Sequence, residues 1–436
     1  MSKTLAELFA DHLVQRRAGL DEDLEAAGYD ALVISAGRPL RYFADDQEPA
    51  FHPTPHFRHW CPVEGPHHLL ALRRGARPRL IRHAAEDFWY EPAPLGDPFW
   101  RAGFEIAEAA TVDEVWAQLG PRGRTAYLGD EPERAGGAGL DPNPEKLLPR
   151  LDWRRAIKSD YEVRCLEQAT AIAARGHEAA RNAFLAGGSE LEIHHAYVRA
   201  LGTTDAQLPY GTIVALDEKG AFLHYEAKRD LRDGRVLLID AGASTRGYGS
   251  DITRTHTRPG CDERFVALRD GMESLQQSLC DEIRPGLPFG ELHHRAHLAL
   301  ARLLAERKLL DADPEDAVEK GWTRPFLPHG LGHQLGVQVH DVGGHLAGPD
   351  GTAAPPPPQY PSLRNTRTIE VGHVFTVEPG LYFIEMLLRP LRAGADRERF
   401  NWTEIDALMP FGGIRIEDDV LVKPDGVRNL TREHLP

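Results

Sequence analysis

Three strand-like runs in this chain each stop on a carboxylate. Val236-Leu-Leu-Ile runs into Asp240, Val374-Phe-Thr-Val into Glu378, and Gly413-Ile-Arg-Ile into Glu417. Short apolar runs bounded by glycine read as buried strands. An acid at the end of a buried strand needs a partner, so the fold must bring these ends to compensating groups. A fourth acid, Asp251, follows Asp240 across the glycine-bearing turn Ala241-Gly-Ala-Ser-Thr-Arg-Gly-Tyr-Gly. A return strand is predicted from Ser250 to Thr255, with Asp251 on it. Such a hairpin sets Asp240 and Asp251 side by side. Like charges that close repel, so one carboxyl takes up a proton unless a cation lies between them.

The segment Phe326-Leu-Pro-His329-Gly-Leu-Gly-His333-Gln-Leu-Gly-Val-Gln-Val-His340 adds imidazoles amid glycines. Histidine near neutral pH serves as metal ligand and proton donor, and glycine lets backbone approach a ligand closely. Asp240, Asp251, His333, Glu378 and Glu417 together make an oxygen-rich set with one nitrogen. Such a set suits two hard or borderline divalent ions, such as manganese, cobalt or zinc, better than one thiolate-bound ion. Two ions close together can share a bridging hydroxide and clamp both ends of a hydrolytic transition state.

These motifs resemble those of the pita-bread metallopeptidases, and within them the bacterial prolidases, which cleave Xaa-Pro dipeptides. The matching residues are Leu238-Ile-Asp240-Ala-Gly, Ser250-Asp251-Ile-Thr-Arg, His329-Gly-Leu-Gly-His333, Val339-His340-Asp-Val-Gly, Thr376-Val-Glu378-Pro-Gly and Gly413-Ile-Arg-Ile-Glu417-Asp. The resemblance implies that Asp240 holds one metal, His333 and Glu378 the other, and that Asp251 and Glu417 bridge them. It implies two divalent ions per subunit, manganese first, with cobalt, zinc or iron as alternatives. Creatinase, a relative with the same fold, lacks this ligand set, so a non-enzymatic or non-metal reading is disfavoured. His224 matches the histidine that stabilises the tetrahedral intermediate. His340 is expected to face the substrate and His329 to support the site by hydrogen bonding. Arg364 matches the arginine that binds the substrate's C-terminal carboxylate, through two parallel hydrogen bonds. Tyr210 and Arg415 match pocket residues whose other reading is packing and charge balance.

The implied architecture is α/β (α+β). A small creatinase-like α/β domain spans residues 1–157, and a pita-bread catalytic domain spans residues 158–436. A length of 436 residues fits two domains. A helix is expected from Leu5 to about Glu25, followed by strands at Tyr29–Ser35, His68–Leu72 and Arg79–Ile81, with a loop over residues 45–66. The pattern changes near residue 157, where a helix with a polar start follows Ser159. The net charge of −15 gives no electrostatic reason to bind nucleic acid or anionic membrane. No apolar run reaches spanning length, and the N-terminus does not read as a signal peptide. Cys61, Cys165, Cys261 and Cys280 are widely spaced and read as reduced thiols of a cytoplasmic protein.

Two other histidine patterns are set aside. His293, His294 and His297 are read as a solvated helix face, and His177-Glu178 has Arg181 where a HExxH motif needs histidine. The expected reaction is hydrolysis of an Xaa-Pro dipeptide, releasing proline, with Glu378 carrying the proton to the proline nitrogen. An aminopeptidase acting on longer Xaa-Pro peptides shares the ligand set. Arg364 and the insertion from Tyr382 to about Ile405 favour the dipeptidase. Related prolidases also imply a side activity on organophosphate triesters, a homodimer, and an N-terminal domain that caps the partner's pocket through Asp45 or Trp89.

Overall fold

A computed structural model describes residues 3–89, 94–120, 123–230 and 232–436. The chain forms two compact units. The first comprises 1–155, 159–162 and 348–352, and the second comprises 156–158, 163–347 and 353–436.

The first unit is built on a six-stranded mixed sheet. Its strands are β1 (Ala31–Ser35), β2 (Leu69–Arg73), β3 (Arg79–His83), β4 (Glu105–Ala109), β5 (Thr125–Leu128) and β6 (Asp141–Pro142), in the order β4-β3-β2-β1-β5-β6. β1 is buried along its whole length, as its run of Leu, Val and Ile requires. The preceding helix, Leu5–Ala27, starts in a capping box between Thr4 and Glu7 and stops at Gly28, whose φ of 78° is left-handed. The region 45–66, expected to be loop throughout, contains a short helix, Pro55–Trp60. Proline at its first turn is preset for helix, and Phe57 and Trp60, one turn apart, are both buried. Residues 159–162 group with this unit for a visible reason. His12 Nδ1 lies 2.8 Å from Ser159 Oγ, and His59 Nε2 lies 3.4 Å from Glu162 Oε1.

The second unit carries the acid-tipped strands. β7 (Ile213–Leu216), β8 (Val236–Asp240) and β11 (Thr253–Thr257) form one antiparallel sheet in the order β11-β8-β7, with a small ladder, β9 (Ser244–Thr245) and β10 (Tyr248–Gly249), in the turn. β12 (Val374–Val377), β15 (Asp418–Lys423) and β16 (Gly426–Asn429) form a second sheet, and β13 (Gly380–Tyr382) pairs with β14 (Gly413–Arg415). Two helices, Glu263–Glu282 and Phe289–Glu306, bury their apolar faces in one core with Phe375, Val377, Ile414, Ile416 and Val420. Successive strand residues point to opposite faces. With Phe375 and Val377 committed to the core, Thr376 and Glu378 face the other way. The same alternation turns Arg415 and Glu417 away from Ile414 and Ile416.

The expectation of a solvated face holds for His294, which is exposed, and is corrected for the other two helix histidines. His293 and His297 are buried, not solvated. His297 stacks on the Tyr360 ring at 4.9 Å and shares a hydrogen bond of 2.9 Å with Thr323 Oγ1, while His293 meets the Tyr360 ring edge-on. Burial pushes them down to about 4 (His293) and about 2 (His297), so they pack as neutral rings. The four cysteines are buried and none is joined in a disulfide among the described residues. Among the described residues, no helix is long and apolar enough to cross a membrane.

One buried ion pair supports the histidine segment. Lys158 Nζ lies 2.9 Å from Asp341 Oδ2, with both side chains almost wholly excluded from solvent. Removing one partner of such a pair leaves the other charge buried, typically at a cost of about 3–5 kcal/mol. Lys158→Met is therefore expected to destabilise the protein by about 3 kcal/mol or more in urea unfolding. An unchanged midpoint and slope would show that the pair contributes nothing.

Candidate active site

Asp240, Asp251, His333, Glu378 and Glu417 line a single cavity of about 220 Å³. Asp240 ends β8, Glu378 follows β12, and Glu417 lies between β14 and β15. His333 arrives on a segment laid along β12. Thr376 N–H donates to His333 O at 3.0 Å and Glu378 N–H to Leu331 O at 2.8 Å. This approach needs glycine at 332, where a Cβ would sit 1.9 Å from the Thr376 carbonyl oxygen.

Asp251 departs from its expected place. The return strand begins at Thr253, two residues later, and Asp251 lies just before it. Its N–H points to the Asp419 carboxylate, at 3.2 and 3.3 Å from the two oxygens, instead of to a neighbouring strand. Asp240 and Asp251 still meet at the cavity, because Thr253 pairs with Asp240 across β11 and β8.

Three of the four acids, Asp240, Asp251 and Glu417, are each held by a dedicated group. Arg415 Nη2 donates to Asp240 Oδ2 at 2.6 Å and its Nη1 to Tyr382 Oη at 2.8 Å. Tyr210 Oη donates to Asp251 Oδ1 at 2.6 Å. Thr253 Oγ1 donates to Glu417 Oε2 at 2.6 Å. His329 Nε2 lies 2.9 Å from Tyr382 Oη, and its Nδ1 donates to Gly330 O at 2.8 Å. His333 Nδ1 donates to Gln334 O at 3.1 Å. With Nδ1 so engaged, Nε2 faces Asp251 Oδ2 at 3.4 Å and Glu378 Oε1 at 3.7 Å.

The electrostatics call for a cation. Burial raises Glu378 to about 7 and raises Glu417 well above the usual carboxylate range, with Asp251 adding to the effect on Glu417. Burial also raises Asp240, against the pull of Arg415. Burial alone lowers an imidazole, yet His333 is raised to about 9 because hydrogen bonding to Asp251 and the charge of Glu378 outweigh it. Asp240 Oδ1 is buried and receives no hydrogen bond among the described residues, since the Tyr210 hydroxyl gives its single proton to Asp251. Asp251, His333 and Glu417 each offer a ligand atom within 4.8 Å of one another. Acceptors converging on one point without a donor fit a divalent metal, and an oxygen-rich set with one imidazole fits a hard or borderline one.

The comparisons with known proteins agree with this geometry. The sequence pattern of metallopeptidase family M24 matches residues 164–424, well over half of the 436. The chain belongs to metallopeptidase family M24. The pattern of the Xaa-Pro dipeptidase N-terminal domain matches residues 7–153. The Xaa-Pro dipeptidase of Pseudoalteromonas atlantica is 41% identical over 437 residues, covering 98% of each chain. That of Aeromonas hydrophila subsp. hydrophila is 43% identical over 436 residues, again covering 98% of each. The solved structure of proline aminopeptidase P II from Yersinia pestis covers 97% of this chain and 96% of its own, with a TM-score of 0.74 at 24% identity; that likeness concerns the fold. The α/β architecture with a pita-bread domain, expected from the sequence, is thereby shown.

Within this M24 metallopeptidase, His224, His340 and Arg364 line the same cavity as the acids. His340 packs edge-on against His333, with ring centroids 4.4 Å apart. Burial and the charge of His333 push His340 down to about 4. Arg364 is exposed to the cavity and has no ion pair or side-chain hydrogen bond among the described residues. Asp45 and Trp89 belong to the first unit, and both are exposed. Sequence reading gave no role to three residues that the structure places at the site: Tyr382, which joins His329 to Arg415; Thr253, which holds Glu417; and Asp419, which receives the Asp251 N–H. Tyr382 stands four residues after Glu378 on a strand-like run, a usable signal. Thr253 and Asp419 offered none beyond standing two residues from Asp251 and Glu417.

Proposed function

We propose that this metallopeptidase hydrolyses Xaa-Pro dipeptides and releases proline. The observation that carries the reading is Arg364, a guanidinium with no ion pair or side-chain hydrogen bond among the described residues, on the wall of a carboxylate-rich cavity. Such a group suits a substrate whose free carboxylate lies one residue beyond the scissile bond. The two relatives above, alike over nearly the full chain, are themselves Xaa-Pro dipeptidases. The cavity, about 220 Å³, is below the ~300–1,000 Å³ common for drug-sized ligands, which favours a small substrate.

Asp240, Asp251, His333, Glu378 and Glu417 would hold two divalent ions, with manganese the first choice. When bound, such ions acidify water and polarise a carbonyl oxygen. The protein's own residues do the rest. Arg364 binds the proline carboxylate and sets the register of the peptide. His224 and His340 face the substrate carbonyl and stabilise the charge that develops there. As water adds to the carbonyl carbon and the C–N bond breaks, Glu378 takes a proton from that water and delivers it to the departing proline nitrogen, which leaves as a secondary amine. His329 acts through Tyr382 on Arg415, and Arg415 and Tyr210 hold Asp240 and Asp251 in place. A site that stabilises a tetrahedral centre at carbon also suits phosphorus, which supports a side activity on organophosphate triesters.

The same reading places the enzyme in the cytoplasm as a homodimer, with its first unit capping the partner's cavity through Asp45 or Trp89. Buried cysteines outside any disulfide support the compartment, and the 78% exposure of Trp89 supports a contact outside the chain. Metal removal tests the reading. Chelator-treated protein is expected to lose Ala-Pro hydrolysis and to regain it with Mn2+, at close to two ions per chain by elemental analysis. Full activity in verified metal-free protein would overturn it.

A further inference from the structure

Arg364 needs support of its own, because a carboxylate reader works only if its guanidinium is held toward the cavity. It sits between two buried residues, Leu363 and Asn365, while its own side chain is exposed. Leu363 belongs to the main core of the second unit. The backbone around Arg364 is fastened to the segment Gly344-His345. His345 Nε2 donates to the Leu363 carbonyl at 2.8 Å, immediately before Arg364. The N–H groups of Thr366 and Arg367, two and three residues after it, donate to Gly344 O at 2.9 and 3.2 Å. Between these bonds the Arg364 carbonyl lies so close to Gly344 that a Cβ there would stand 2.7 Å from its oxygen. Gly330 closes the other side, where a Cβ would meet Leu363 Cα and the Ser362 oxygen at 3.1 Å. His345 is exposed at its own position, so its ring is not needed to fill the core.

We propose that His345 is a positioning residue for carboxylate recognition. By holding the Leu363 carbonyl against Gly344, it aims Arg364 into the cavity and sets how strongly the enzyme prefers substrates with a free C-terminal carboxylate. This rests on the dipeptidase reading above. A pinned side chain retains its two parallel bonds to a carboxylate, whereas a freed one gives up part of them to rotamer freedom.

The test compares Ala-Pro with its amide, Ala-Pro-NH2, in manganese-loaded wild type, His345→Ala, His345→Gln and Arg364→Ala. His345→Ala is expected to raise KM for Ala-Pro about tenfold, the scale of one weakened charge-assisted bond. Its kcat for Ala-Pro and its kcat/KM for the amide should stay within about twofold. His345→Gln, which keeps an N–H donor of similar reach, should recover most of the loss. Adding His345→Ala to Arg364→Ala should cost nothing further, because the two act through one contact. Equal losses on acid and amide, no rescue by glutamine, or full additivity with Arg364→Ala would overturn the positioning role while leaving the dipeptidase reading intact. A wild type that cleaves the amide as well as the acid would overturn both.

Discussion

Glu378→Gln is expected to lower Ala-Pro turnover by about 10³-fold or more, within the range attributed to proton transfer by a positioned side chain. The substitution keeps the size of the side chain and one carbonyl oxygen, but an amide cannot take up and release the proton. Glu378 is suited to that task by its surroundings. Burial raises it to about 7, while His333 and Arg415 pull it down. His329 Nδ1 and His333 Nε2 each lie 3.7 Å from its oxygens. Elemental analysis of the variant separates a lost proton carrier from a lost metal. A variant that holds metal and turns over at a near-normal rate would remove Glu378 from the proton path.

Arg364→Ala is expected to reduce kcat/KM for Ala-Pro by about 10²-fold, mostly through KM. Two hydrogen bonds to a charged group, at about 1.5–3 kcal/mol each, correspond to at least that factor. Arg364→Lys should recover only part of it, because an ammonium supplies charge without the planar fork that matches a carboxylate. Hydrolysis of Ala-Pro-NH2 should be little changed in either variant. Equal damage to acid and amide would point to a collapsed loop instead of a lost contact.

Much of the second unit was legible because strand alternation and acid placement coincide. Once Phe375, Val377, Ile414 and Ile416 are read as core, Glu378 and Glu417 must share the opposite side. The order of Asp240, Asp251, His333, Glu378 and Glu417 then points to the family and with it the cavity they line. What stayed hidden depends on contacts distant in sequence. Asp251 leaves the strand because its N–H meets Asp419, 168 residues away. Asp341 is paired by Lys158, 183 residues upstream. His293 and His297 read as a polar helix face until Tyr360, from a separate loop, covers them. The short helix Pro55–Trp60 was obscured by the high Pro, His and Trp content around it. None of these can be derived from local periodicity, which reports which face is apolar and not what arrives to cover it.

The most direct test of the central claim is proline release from Gly-Pro, Ala-Pro and Leu-Pro beside release of products from Gly-Pro-Ala. Metal-stripped protein with manganese added back is the enzyme to use. Metal-dependent cleavage of the dipeptides with the tripeptide untouched is the predicted result. Efficient cleavage of Gly-Pro-Ala would contradict the dipeptidase assignment and make the protein an aminopeptidase, and no cleavage of any of them with metal bound would contradict Xaa-Pro hydrolysis altogether.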